Sequence, residues 1–144
     1  MQGQHYGNHR RYVMMYHVVL FLLIVATLIG SVVNLWMSLG NHDRLYSASL
    51  IVVLAVIALL QFFYSRSFPL KAQDRAIRAE ENLRHFVKTG KLLDSRLTLR
   101  QIIGLRFASD EEFVLLAKRA ADEGMSEDDI KKAVKSWRAD YDRV

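Results

Sequence analysis

Hydrophobic positions along this chain fall into two regimes. Val13 to Leu39 carries no formal charge over 27 residues, and Leu45 to Ser65 carries none over 21. Crossing the hydrocarbon core of a bilayer takes about 20 residues of helix, so each run predicts one transmembrane helix, TM1 over about 13–39 and TM2 over about 45–65. The first run is longer than the apolar segment of a signal peptide, and no A-x-A-like site follows it. Between the runs, Gly40-Asn41-His42-Asp43 is turn chemistry. So short a connection predicts an antiparallel hairpin over 12–66; before it lies a polar tail over 1–11, expected to be mobile over Met1 to Asn8.

After Ser65 the pattern changes to helical periodicity among charges. Pro69 disfavours helical geometry at Phe68, which predicts a kink or break there and a new helix from about Leu70. Ala72, Ala76, Ala79, Leu83 and Phe86 recur at three or four residues and predict one apolar stripe on an amphipathic linker helix over 67–90. Asp74–Arg78, Glu80–Arg84 and Glu81–His85 fall at i,i+4 and support its outer face. Gly90 ends it. Three short helices are then announced by Thr98-x-x-Gln101, Ser109-x-x-Glu112 and Ser126-x-x-Asp129, each flanked by apolar residues placed as a hydrophobic staple. Gly124 suits the left-handed position that closes the middle helix. Ile130, Ala133, Val134, Trp137 and Tyr141 predict the core face of the last. The expected fold is all-α: a two-helix transmembrane hairpin, a linker helix and a small three-helix module over 91–144.

Charge fixes the expected orientation. The net charge is +5, and it is uneven. Residues 1–63 hold three basic and one acidic side chain, residues 64–90 six and three, and residues 91–144 eleven of each. The excess therefore lies beside the apolar runs, at Arg10, Arg11, Arg66, Lys71, Arg75 and Arg78, where anionic headgroups and the positive-inside rule place it. Both termini are expected in the cytoplasm. Tyr12, Tyr16, Phe62, Phe63 and Tyr64 fall at one expected interface, and Trp36 and Tyr46 at the other. The neutral module argues against nucleic-acid binding, which draws most of its affinity from phosphate neutralisation. The strip Lys131, Lys132, Lys135 and Arg138 reads as a solvated or membrane-facing surface.

Chemistry-bearing patterns are few. There is no cysteine, which excludes disulfides and thiolate catalysis. Neither a phosphate-binding GxxxxGK[ST] loop, an HExxH helix nor a GxSxG elbow occurs. His5 and His9 stand four apart with no carboxylate nearby. The runs Asp110-Glu111-Glu112 and Glu127-Asp128-Asp129 follow serine N-caps, where negative charge complements the helix dipole. No cofactor or metal site is expected.

One pattern admits two readings. Thr27, Ser31, Asn34 and Ser38 share a face of TM1 near Ala26 and Gly30, and the face continues toward His17. In an oligomer it would make a polar pore wall. Helix packing explains it with fewer assumptions, since small and hydroxyl residues let membrane helices approach closely. His17, Asn34 and Gln61 are the costly polar groups of the two runs. A soluble part of about fifty residues is marginal alone, so its apolar faces need the Ala72–Phe86 stripe or another subunit.

The words FPLKAQDRAIRAEENLRHF (68–86), KLLDSRLTLRQIIGLRFASDEEF (91–113) and DDIKKAVKSWRADYDRV (128–144) resemble a family of small, uncharacterised bacterial two-pass membrane proteins. Relatives are expected to carry Ala where this chain has Pro69. The resemblance implies the bacterial inner membrane and the same architecture, and it assigns no activity. The expected protein is a non-enzymatic, homo-oligomeric inner-membrane protein associated with lipid and with itself, its hairpins packing through Ala26, Gly30 and Asn34. The alternatives are an oligomeric channel lined by TM1 and a membrane-tethered adaptor for a cytoplasmic protein.

Overall fold

The chain was analysed as a computed structural model that describes residues 4–8 and 12–140. Its described elements are helical: a π-helical turn Met15–Leu20, α1 Phe21–Met37, α2 His42–Thr89, α3 Leu99–Leu105, α4 Phe113–Glu123 and α5 Glu127–Ala133. Two stretches are long and apolar enough to cross a membrane, Met15–Met37 and the apolar part of His42–Thr89. The chain divides into two compact units, one over Tyr12–Phe68 and one joining the segment before Tyr12 to the chain from Pro69 onward.

In the first unit α1 ends at Ser38, whose N–H and Oγ–H both donate to the Asn34 carbonyl at 3.0 and 2.8 Å. Gly40 takes a positive φ of 89°, the conformation a residue without Cβ adopts cheaply. Asn41 caps the start of α2, its Oδ1 accepting from Arg44 N–H at 3.3 Å. Tyr16 stacks on Phe62 at 4.6 Å and bonds the Phe62 carbonyl through its hydroxyl, and Phe21 reaches the same ring at 5.6 Å. These contacts hold the helices antiparallel. The buried residues of the unit are small: Ser31 and Ser38 on α1, Ala48 and Ala55 on α2, seven apart on each helix. That seven-residue spacing is the one close helix–helix packing uses.

The predicted break at Pro69 is absent. α2 runs through it without interruption. A proline inside a helix removes one N–H and displaces one carbonyl, a local cost that the good helix formers on its far side outweigh. The Ser65 and Ser67 hydroxyls also donate to the carbonyls of Phe62 and Tyr64, at 3.0 and 3.3 Å. Gly90, at φ 71°, closes the helix.

In the second unit the core forms around Leu105, Phe107, Phe113 and Ile130, all fully buried. Thr98 and Gln101 make the predicted capping box, and Leu97 and Ile102 beside them are buried. The Gln101 amide goes further, donating to the Met125 carbonyl at 2.8 Å. Ser126 caps α5 by accepting from Asp129 N–H at 3.1 Å. The middle box does not form. α4 starts at Phe113, after a turn in which Phe113 N–H donates to the Ser109 carbonyl. The Glu112 carboxylate instead takes the N–H groups of Lys135 and Ser136, at 3.1 and 3.0 Å.

That capture ends the last helix early. α5 stops at Ala133, and Val134 is already extended. Arg138 N–H then donates to the Phe107 carbonyl and Ser109 N–H to the Ser136 carbonyl, an antiparallel bridge pairing Ala108 with Trp137. Ile130, Val134 and Trp137 point inward as expected, with Trp137 against Phe107 at 4.8 Å. Tyr141 lies outside the described residues. Part of the N-terminal segment is docked where a loose tail was expected. Asp140 N–H donates to Gln4 Oε1 at 2.8 Å, and the Gln4 amide donates back to the Asp140 carbonyl at 3.2 Å.

Candidate functional site

Two places gather polar side chains. The first is the face of α1. Thr27, Ser31 and Ser38 each donate their hydroxyl to their own helix, at the carbonyls of Leu23, Leu28 and Asn34. A hydroxyl used this way is satisfied without water or ligand and packs as a small apolar group. Ser31 and Ser38 are buried, whereas Thr27, Gly30 and Asn34 are exposed. A Cβ added at Gly30 would meet nothing within 4 Å. The expected face is thus divided between the hairpin seam and an open flank. His17 is apart from both: it lies in the π-helical turn, stacked on Tyr12 at 4.7 Å and edge-on to Tyr16 at 5.2 Å. A π turn accommodates an extra residue and shifts the phase of the face, so His17 is drawn into an aromatic cluster.

The second place is the 69–89 segment of α2, where the buried face differs from the predicted one. The Ala72–Phe86 stripe is exposed, with Leu83 at 62% and Phe86 at 50%. Ile77 and Glu81 are buried instead. Arg84 explains the choice. Its guanidinium bonds Glu81 at 3.0 Å and Asp110 at 2.7 Å. It also donates to the Ala108 carbonyl at 2.8 Å and lies over the Phe113 ring at 4.2 Å. Charge-assisted bonds with a planar fork are the strong kind, so the face that carries Arg84 turns inward. The predicted Glu80–Arg84 and Glu81–His85 pairings give way: Arg84 takes Glu81, and His85 Nδ1 lies 2.7 Å from the Lys91 carbonyl.

Glu81 is the most enclosed carboxylate described, its side chain 4% exposed between Arg84 and Arg138, the latter at 3.7 Å. Burial pushes its carboxyl above the ordinary range, and the two arginines pull it back only in part. Beside it lies a cleft of about 340 Å³ lined by Gln73, Ile77, Glu80, Arg106, Arg138 and Asp140. Arg106 pairs with Asp140 at 3.2 Å. Hydrogen bonds from Arg84 and Lys88 hold the Asp110 carboxyl below the ordinary range. Those from Arg96 lower Asp94 to about 2.

Sequence reasoning did not find this cluster. Glu81 and Arg84 stand at i,i+3, a visible spacing, but Arg106, Asp110 and Arg138 are distant in sequence and meet them only in the fold. Arg66 is half-buried, and Lys71, Arg75 and Arg78 are exposed; Arg10 and Arg11 lie outside the described residues. No group of three His, Asp or Glu side chains able to hold a metal ion occurs among the described residues. Glu81, Arg84, Asp110, Arg138, Arg106 and Asp140 are engaged with one another in ion pairs, as a structural network requires.

The profile of a family described as "Family of unknown function (DUF6526)" matches residues 1–144. Comparison with curated proteins and with solved structures finds no match.

Proposed function

The chain belongs to this family of unknown function, and we propose that it is a non-enzymatic, homo-oligomeric protein of the bacterial inner membrane, with two passes and both termini in the cytoplasm. One observation carries the reading. The apolar windows of the two long helices are only 6% and 11% buried, while the small module closes its own core to full burial. A helix apolar all round and left uncovered needs a bilayer or other protein around it. Exposed Trp36 and Tyr46 near the turn, and Tyr12, Phe63 and Tyr64 at the far ends, suit the two headgroup levels.

Self-association is supported by Asn34. It is exposed on α1, at a depth where contact with lipid tails is costly for an amide. A second copy against Asn34, Thr27 and Gly30 removes that cost. The absence of a catalytic role rests on the polar cluster around Glu81, whose groups are engaged in holding the module together.

Carbonate extraction of membranes, with reporter fusions at each end, tests the anchoring. The protein is expected to stay in the pellet with both reporters cytoplasmic. Extraction into the supernatant sinks the reading. Native mass measurement in nanodiscs tests the assembly, and a monomer would refute it. The same exposed flank favours one second reading, an oligomeric channel lined by Thr27 and Asn34; ion flux in liposomes that Asn34→Leu abolishes would decide for it.

A further inference from the structure

We infer that the exposed stripe of the 69–89 helix is a parallel self-docking seam, and that its occupant is the same segment of a second copy of this chain. Ala72, Ala76, Ala79, Leu83 and Phe86 alternate by four and three residues, the spacing of the core positions of a two-stranded coiled coil. All five are exposed, Ala76 also bordering the cleft toward Arg106 and Asp140, while the module packs through Ile77, Glu81 and Arg84. Val87 beside them is 75% exposed. Apolar side chains at this repeat, exposed in register on one helix, mark a contact surface.

The flanking charges select the partner and its direction. With Ala76 and Leu83 as first core positions of their heptads and Ala79 and Phe86 as second, Arg75 falls on one flank and Glu80 on the other. Both are exposed. In a parallel pair the residue on the first flank meets the one five places further along the partner. Arg75 of each copy therefore meets Glu80 of the other, and symmetry makes the contact twice. A second copy of this chain is complementary to itself at these two positions in the parallel sense.

Parallel orientation rests on the membrane reading: two copies with the same topology in one bilayer present their juxtamembrane helices in the same direction. Five core positions, three of them alanine, make a weak coiled coil in free solution. Anchoring in two dimensions replaces a bimolecular encounter by a local one at high effective concentration.

The chain has no cysteine, so disulfide cross-linking needs no background removed. Ala79→Cys, Leu83→Cys and Phe86→Cys are introduced singly, with Arg78→Cys as an exposed control off the stripe. Oxidation of the full-length, carbonate-resistant protein in its native membrane should give dimer at the three stripe positions, several-fold above the control. Arg75→Glu in the Leu83→Cys background should lower that yield several-fold. Arg75→Glu combined with Glu80→Arg should restore it, a recovery that loss of folding cannot produce. Equal yields at stripe and control overturn the inference. So does quenching of a label at Leu83→Cys by spin-labelled lipid in place of cross-linking, which would lay the stripe on the bilayer. If native gels show oligomers while the stripe positions stay uncross-linked, self-assembly stands and this seam falls.

Discussion

At the scale of single residues, Arg84 decides how the second unit is built. It bonds two carboxylates and a carbonyl and lies over an aromatic ring. Arg84→Ala leaves Glu81 enclosed with only the more distant Arg138. Breaking a buried pair by removing one partner costs about 3 kcal/mol or more. Amide hydrogen exchange in α3 and α4 of the full-length variant should accelerate by orders of magnitude. Glu81→Gln has a different signature. Burial raises the folded Glu81 carboxyl above 4.5, so the folded state holds its proton more tightly than the unfolded one. Stability from this group is full below the unfolded value and falls as pH rises through the folded one. The lowered carboxyls of Asp94, Asp110, Glu111 and Asp129 work in the other direction: their contribution is present above the unfolded value and lost as pH falls through the folded one. Thermal melts of wild type and Glu81→Gln should therefore diverge in the variant's favour from acid toward neutral pH, while both lose stability at strongly acid pH. Parallel curves across that range would show that Glu81 does not titrate differently in the fold.

At the scale of elements, the module holds together through close crossings of very short helices. α3 and α5 have seven residues each, too few to be stable alone. They meet at Gly104, where an added Cβ would lie 3.1 Å from the Glu127 carbonyl oxygen and 3.2 Å from Ile130 Cγ2. One obstacle is backbone, so the crossing cannot relax by a rotamer change. Gly104→Ala should cost about 1–3 kcal/mol through overpacking, despite the better helix propensity of alanine. A lowered denaturation midpoint of the module in detergent, with α1 and the apolar part of α2 unaffected, checks this. α2 teaches the opposite lesson. One unfavourable residue, Pro69, does not stop a 48-residue helix, because the bonds on either side persist.

At the scale of the whole molecule, the terminal segments share one unit. Gln4 bonds both the N–H and the carbonyl of Asp140, and Lys132 Nζ lies over the Tyr6 ring at 5.6 Å. The contact resembles one rung of an antiparallel ladder made by a side-chain amide. Gln4→Ala should raise hydrogen exchange at Asp140 N–H by several-fold and leave the buried amides of α3 unchanged; exchange unaltered at Asp140 would mean that Gln4 does not hold the chain there.

What the sequence determined by itself follows from short-range rules. Two uncharged runs of bilayer length, a Gly-Asn turn, the Thr98–Gln101 box and the Ser126 cap are local patterns, and the helices at those places form. What only the tertiary structure decided depends on partners far apart in the chain. The alanine stripe obeys the rule for a buried face, yet Arg84 finds Asp110, Ala108 and Phe113 and turns the other face inward. Ser109-x-x-Glu112 obeys the rule for a capping box, yet Lys135 and Ser136 offer the Glu112 carboxylate two N–H donors, and the last helix ends where they do. Ser31 and Ser38 part from Thr27, Gly30 and Asn34 because α2 covers only one side of a face that periodicity treats as uniform. Local propensities differ by fractions of a kcal/mol. A charge-assisted bond in a closed site is worth more, so the long-range contact prevails wherever the two compete.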